Sequence, residues 1–371
     1  MSVFDRLKSK AKRPAFRVVG AATPSAAPTA PSAPTEPPPR TMVPGDYGLP
    51  PRADIRSDIG GPDPVAEPAM EAAQRGDWLT IAGILQHCGT DWERRTSVIA
   101  RLGELAIQDD RWLRSWLTTA PNDPTANTIY ANSLVGVAWG IRTGSQAEDV
   151  SRDQWQGFFR VLSQAPDHCL RAAASAPADP TPWIELLTVA RGLQYDNDRF
   201  REVWREVIAR APDHLGAHLS ARGYWLPRWY GSTELHDAFV DEATRGRPRG
   251  SLFTLVRLRA MFDEYEPNTR AEQESYYRTP EPHRILDEAA ADLAAASPSH
   301  PHYASQRHML AYFFTNAGRY AEAYDQFAAI GPYCGASPWS LYGDPVGKFV
   351  GERARAVIGW EDAGRPPLPY R

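Results

Sequence analysis

Lysine is almost missing from these 371 residues. There are four, Lys8, Lys10, Lys12 and Lys348, and arginine supplies the rest of the 41 basic side chains. With the alanine and proline content, that bias fits a GC-rich bacterial genome, which is a statement about codons and not about function. Cysteine is equally scarce. Three residues, Cys88, Cys169 and Cys334, are an odd number set far apart. They exclude a disulfide framework and fit a reducing cytoplasm. The longest apolar runs, such as Leu134–Trp139, are too short to cross a bilayer. No apolar stretch follows the basic start, so no secretory signal peptide is expected. Period-2 alternation is absent, which argues against strands. GxxxxGK[ST], GxGxxG, GxSxG and HExxH are absent too, and with them the chemistry those spacings carry.

What the chain does contain is unevenly placed. Net charge is −4, which gives a nucleic-acid role no support. Residues 1–40 carry a local +5, so the remainder stands at −9. Residues 14–39 hold eight prolines among Ala, Ser and Thr. Such a stretch cannot bury enough apolar surface to offset its ordering entropy. The expectation is a disordered tail over residues 1–65, a helical domain over 66–360 and a short tail over 361–371. Within residues 1–13, Phe4 and Leu7 share one face of a basic segment. An anionic membrane surface or a partner could touch it, although a solvated start is the preferred reading.

From Pro68 onward the periodicity is helical. Phe200, Val203, Trp204, Val207 and Ile208 sit at i, i+3, i+4, i+7 and i+8. Connections recur as Ala-Pro or Ser-Pro followed by a polar residue: Ala120–Pro121, Ala165–Pro166, Ala176–Pro177, Ala211–Pro212, Ser297–Pro298. Proline stops one helix there, and a nearby Asp, Asn or Ser caps the next. Leu310–Ile330 reads as a hairpin, with Gly318 just past the first helix and Ala311 and Ala323 where two helices close on each other. Pro177 to Pro212 is 35 residues, near the ~34-residue period of helix-turn-helix repeats.

Leu310, Ala311, Phe314, Gly318, Tyr320, Ala323 and Phe327 resemble the tetratricopeptide-repeat pattern. Ile330 stands where that family prefers Ala, which implies looser or reshaped packing. Trp183 and Leu186 resemble the same first-helix positions, with a longer turn at Gln194–Arg199. The stretch PRWYGSTELHDAFVDEA also resembles a motif of a bacterial tetratricopeptide-like domain family of unknown function. The matching positions are Arg228, Trp229, Gly231, Ser232 and Phe239. The fold so implied is all-α, a solenoid of stacked helical hairpins.

Candidate chemistry is thin. His214 and His218 have the i, i+4 spacing of a metal pair but no third ligand, and read as surface histidines beside a capping Asp213. His300, His302 and His308 read as linker residues. Asp167, His168 and Cys169 are adjacent, so their side chains diverge, and Cys169 reads as core. Asp109 and Asp110, with Asn197 and Asp198 downstream, resemble terpene cyclase metal motifs only in outline. Leu113, Arg201 and Arg205 stand where oxygen ligands would be needed. No metal and no cofactor is expected.

The functional expectation is therefore a non-enzymatic scaffold that binds a protein or peptide partner. The alternative is an α-helical enzyme or small-ligand-binding protein with an internal pocket. A DNA-binding regulator finds no room for a folded reader in residues 1–65. Arg, Trp and Tyr are enriched at binding hot spots, which singles out RGYWLPRWYG. Trp225 and Trp229 are expected inward. The expected partner-binding set is Arg222, Arg228 and Tyr230, with the basic loop Arg245, Arg247 and Arg249.

Overall fold

A computed structural model describes residues 42–142, 150–265 and 269–365. All regular structure among them is helical, apart from one isolated bridge between Arg56 and Tyr333. The helices are α1 Ala66–Gln74, α2 Trp78–His87, α3 Trp92–Gln108, α4 Arg111–Thr119, α5 Pro124–Arg142, α6 Arg152–Leu162, α7 Ala165–Ser175, α8 Thr181–Gly192 and α9 Asn197–Arg210. They continue as α10 Leu215–Tyr224, α11 Thr233–Thr244, α12 Thr254–Tyr265, α13 Arg270–Tyr277, α14 Pro280–Ala295, α15 Tyr303–Asn316, α16 Tyr320–Ile330 and α17 Pro345–Asp362. None is long and apolar enough to cross a membrane.

Local chemistry sets the breaks. Ala120, Ala176 and Ala211 each close a helix with φ between −133° and −144° and ψ between 71° and 77°. A residue before proline is pushed out of the α region, so one dipeptide gives one geometry three times. Ala165–Pro166 departs from the expectation. Proline there stands in the first turn of α7, where its missing N–H costs nothing. Asp77, Asp91, Asp196 and Ser232 each accept a backbone N–H three residues on, satisfying one of the donors that a helix start leaves open.

Neighbouring helices pack in chain order. Helix α8 packs on α9 and α10, α10 on α11 and α12, α12 on α14 and α15, and α15 on α16. This is compatible with a helical-repeat array. The core is handed along the same line. Ala126 and Ile129 of α5 belong to the first cluster, Ala131 and Ala138 to the second. Helix α10 joins the second to the third through Ala217 and Leu215.

The hairpin expected at Leu310–Ile330 is present. Gly318 has φ +73°, and Arg319 N–H returns to Phe314 O at 2.9 Å, which closes α15 with a left-handed cap. Ala311, Phe314, Ala323 and Phe327 have no exposed surface, and Ile330 is also buried. Ala323→Leu should cost about 1–3 kcal/mol, because the added methylenes have no space. Ala329→Leu, on the exposed side of α16, should stay within about 0.5 kcal/mol. Equal shifts in a urea titration would show this register to be wrong.

The segments on either side of residues 66–360 were expected as tails. Residues 1–41 lie outside the described residues, but residues 42–65 form a strap across the C-terminal helices. Tyr47 Oη donates to Glu361 at 2.7 Å and Tyr324 Oη donates to the Tyr47 carbonyl at 2.9 Å. Arg56 exchanges backbone bonds with Pro332 and Cys334, at 2.7 and 2.8 Å. Leu49 is buried with Tyr324 and Val357. Proline and glycine limit this stretch to two short 3-10 turns, Pro44–Tyr47 and Arg52–Asp54, yet they leave backbone groups free to pair with a loop, and the apolar cover is borrowed from α16 and α17. At the other end, α17 runs to Asp362, and Arg365 still pairs with Glu361 at 2.5 Å.

A second long-range knot lies at the start of α3. The Glu93 carboxylate accepts from Leu215 N–H at 2.7 Å and Gly216 N–H at 2.9 Å, and His302 Nε2 lies 2.8 Å away. It thus caps the N-terminus of α10 from 122 residues upstream, where a negative charge is favoured. Burial would raise this carboxyl, but His302, His214 and the α10 amides outweigh burial and hold it at about 2.

Candidate functional site

The elbow between α10 and α11 lies over a dense cluster of charged side chains. Helix α10 stops at Tyr224, and Trp229 and Gly231 N–H groups fold back onto the Leu226 carbonyl. A Cβ on Gly231 would stand 1.8 Å from the Trp225 carbonyl oxygen, so the turn admits only glycine. Ser232 then caps α11, as expected.

Four guanidiniums surround one carboxylate beneath this elbow. Asp263 of α12 accepts from Arg222 Nη2 with one oxygen and from Arg228 Nη2 with the other, both at 2.6 Å. Arg222 Nη1 lies 3.0 Å from His236 Nε2. Arginine only donates, so that nitrogen is the acceptor and His236 is neutral. Arg259 stands one turn before Asp263 on α12, within electrostatic reach of Asp263, Arg222 and Arg228. Arg191 of α8 approaches from the other side. A Cβ on Gly223 would stand 2.4 Å from Arg191 Nη1, so the guanidinium rests on the bare face of α10.

Aromatic rings complete the site. Arg191 lies 5.3 Å from the Trp139 ring centre and 5.6 Å from Trp229. Arg142 lies 5.2–5.5 Å from Trp139, Trp155 and Trp229. Such cation–ring contacts gain strength where water is excluded. Burial, then the neighbouring arginines, lowers both Arg191 and Arg259 to about 10. Burial alone would raise Asp263, but Arg222 and Arg228 carry it below the usual range.

The charges do not balance. One carboxylate against four guanidiniums leaves a formal surplus of three. Arg191 Nε, Arg222 Nε and Arg259 Nη1 are buried without a hydrogen-bond acceptor. A buried donor left unpaired costs about 1–3 kcal/mol, more if charged. Guanidiniums do not exchange protons near neutral pH, so the chemistry on offer is anion binding and charge stabilisation.

The sequence-derived set is only partly brought together. Arg228 is exposed and Tyr230 half-buried, both at the elbow. Arg222, expected outward, is buried at 4% exposure, because α12 supplies it with Asp263. Trp225 is inward, whereas Trp229 is half-buried. Arg247 sits at the opposite end of α10, ion-paired with Asp213 and 3.9 Å from the Phe253 ring. Nine residues of helical rise separate that end from Arg222, about 14 Å. Arg245 and Arg249 are exposed in the same distant loop, so residues 245–249 are not part of the elbow cluster. Sequence reading missed Arg191, Arg259 and Asp263. The signal available was an arginine inside the apolar run LLTVARGL and an Arg–Asp pair four apart in RLRAMFDEY.

Other candidates resolve into structure. Among the described residues no three His, Cys, Asp or Glu side chains form a metal-holding group. His214 and His218 are buried rather than on the surface. His214 Nδ1 itself caps α10, while Asp213 turns away to Arg247. His218 packs on Trp204 and Phe253. His168 Nδ1 lies 2.8 Å from Asn127, and Cys169 is fully buried core with its thiol pushed up by burial. Asp109 and Asp110 pair with Arg111 and Arg114. His308, read as a linker residue, lies inside α15 under the strap. A hollow of about 790 Å³ beside α1 and α2 is lined by Pro64, Ile84 and Cys88 and holds no comparable charge.

No protein-family model, no curated protein sequence and no solved structure matches this chain.

Proposed function

We propose that this chain is a non-enzymatic binding protein, a tetratricopeptide-like array whose elbow cluster holds an acidic segment of a protein partner. One observation carries the reading: the elbow gathers four guanidiniums about a single carboxylate and brings one of them, Arg228, to the surface beside Trp229 and Tyr230. A partner carboxylate would meet the exposed Arg228 through a charge-assisted bond, within the positive field of the buried arginines behind it. Arg228, Trp229 and Tyr230 form the exposed and half-buried rim. Arginine with aromatics is the composition that dominates binding energy at interfaces. The rest of the chain beyond residue 40 is net negative, so the elbow stands out as the place for an anion. The three cysteines are free thiols, which fits a reducing compartment.

The reading is tested by fluorescence anisotropy with a labelled ten-residue Glu-rich peptide and a Lys-rich peptide of equal length. The acidic peptide should bind and the basic one should not. Arg228→Ala should weaken binding about tenfold, or about 1.4 kcal/mol, with unchanged helix content. That side chain is 54% exposed and Asp263 retains Arg222, so folding does not depend on it. Equal affinity for both peptides, or none for either, overturns the proposal.

A further inference from the structure

We infer that the aromatic face beside the elbow is a docking site for a proline-rich segment in the polyproline II conformation, and that its occupant is residues 28–39 of this same chain. The face adjoins the acidic-partner site proposed above and shares Trp229 and Tyr230 with it. The inference stands on rings and prolines, and not on that reading.

Five rings from three elements meet there. Trp139 lies near the end of α5, Trp155 and Phe159 lie on α6, and Trp229 and Tyr230 belong to the elbow. Trp155 and Phe159 stack at 5.6 Å, Trp139 and Trp229 meet edge to face at 5.8 Å, and Trp229 and Tyr230 lie 6.4 Å apart. Two side chains tie these pairs together. Phe158, fully buried, touches Trp139, Trp155 and Phe159. The Arg142 guanidinium lies 5.2–5.5 Å from all three indoles. Each of the five rings is only half-buried, and Pro227 and Arg228 are exposed beside them. Large aromatics ordinarily dominate cores. A contiguous group of them left partly in water marks an interaction surface.

The sequence supplies an occupant. Pro28, Pro31, Pro34 and Pro37 recur at every third residue. A polyproline II helix has three residues per turn and no internal hydrogen bonds, so prolines at this spacing share one of its faces. Aromatic-lined grooves take such segments at low entropic cost, because the conformation is set beforehand. Charge permits the match. Between Arg17 and Arg40 the only charged residue is Glu36, so the segment brings no cation against Arg142, Arg191 and Arg228. Arg228 gives Nη2 to Asp263 and is 54% exposed, which leaves other N–H groups of its fork for a segment carbonyl or for Glu36.

Reach permits it as well. Met42 packs on the cluster of Leu49, Tyr324 and Val357 over α16 and α17. Pro28 stands 14 residues before Met42, up to about 46 Å of extended chain. Helices α10, α12, α15 and α17 touch in succession. Three steps of about 8–10 Å place the axis of α10 within about 30 Å of α17. A tether of this kind holds its segment at an effective concentration on the order of millimolar.

Fluorescence anisotropy with a labelled peptide of residues 24–39 tests the inference. The full chain carrying Pro28→Ser, Pro31→Ser and Pro34→Ser should bind this peptide at least about tenfold more tightly than the unmodified full chain, whose own tail occupies the face. The same peptide with serine at every proline should not bind. Trp155→Leu and Trp229→Leu, added to the serine-substituted chain, should each lose at least about tenfold in affinity with unchanged helix content, since leucine keeps apolar bulk but offers no ring face. Lower melting temperatures with unchanged affinity would make these rings structural and overturn the inference. Equal affinity of the serine-substituted and unmodified chains, or binding to neither, would overturn it too. The tail substitutions lie outside the described residues, so that comparison decides the matter whether or not a ring variant folds. A tail-dependent dimer in sedimentation would put a second copy's segment on the face and overturn the within-chain arrangement. With the Glu-rich peptide run in parallel, failure of the proline peptide alone removes this inference alone, and failure of the Glu-rich peptide alone removes only the acidic-partner reading.

Discussion

Stability should fall steeply as pH drops from 6.5 to 4, before most carboxylates are protonated. His308 and His218 are buried at 1% and 4% exposure, and burial presses both to about 4. His308 is held neutral from two sides: Trp339 Nε1 donates to its Nδ1 at 2.8 Å, and its Nε2 donates to the Ile59 carbonyl at 3.0 Å. The unfolded chain takes up a proton at each site as pH falls through about 6.5. The folded chain refuses until about pH 4. Through that window the unfolded state binds more protons, so acid lowers stability. The displacement amounts to roughly 3 kcal/mol per histidine. Burial lowers His168, His214, His236 and His300 as well. Glu93 extends the trend with the carboxylate sign: its contribution, complete above about pH 4.5, is lost as pH falls toward 2. Urea titrations at pH 7.5, 5.5 and 4.5 read this directly. His308→Gln, which keeps one donor and one acceptor, should flatten the dependence. A loss smaller than about 1 kcal/mol between pH 7.5 and 4.5 would contradict neutral buried histidines.

Removing residues 1–60 should destabilise the chain by at least about 4 kcal/mol relative to removing residues 1–41. The difference is the strap. It takes away a buried Leu49, worth about 2 kcal/mol of apolar burial. It breaks the backbone bonds of Arg56 and Asp58 to Pro332, Cys334 and Gly335, each about 0.5–1.5 kcal/mol. It also leaves His308 Nε2 with no acceptor from Ile59, a further cost of about 1–3 kcal/mol. Leu49→Ala alone should cost about 2 kcal/mol or more. Coincident urea midpoints for the two truncations would show that the strap contributes nothing. That is the outcome composition alone forecasts, since proline, glycine and aspartate without a periodic apolar face read as an unstructured lead-in.

The candidate site shows a similar division. Arg228, Trp229, Gly231 and Ser232 were legible as an elbow, because proline, glycine and a capping serine act within a few residues. Arg222 was legible as a helical arginine but not as a buried one. Its burial depends on Asp263, 41 residues later. Arg247 was legible as basic and close in sequence, yet a ten-residue helix carries it to the far end of α10. Adjacency along a chain is not adjacency across a helix.

By itself, the sequence determined the all-helical class, the recurrent Ala-Pro stops, the caps and the hairpin at Leu310–Ile330. All of these depend on interactions spanning at most one helical turn or one short loop, and their periodicity is written in consecutive residues. Only the tertiary structure decided that residues 42–65 close over α15–α17, that Glu93 caps a helix 122 residues away, and that Arg222 and Arg228 share the Asp263 carboxylate with Arg191 and Arg259 nearby. These depend on which faces of which helices meet. A 3.6-residue period shows that a helix has an apolar face, but it carries no label for the partner that will cover it.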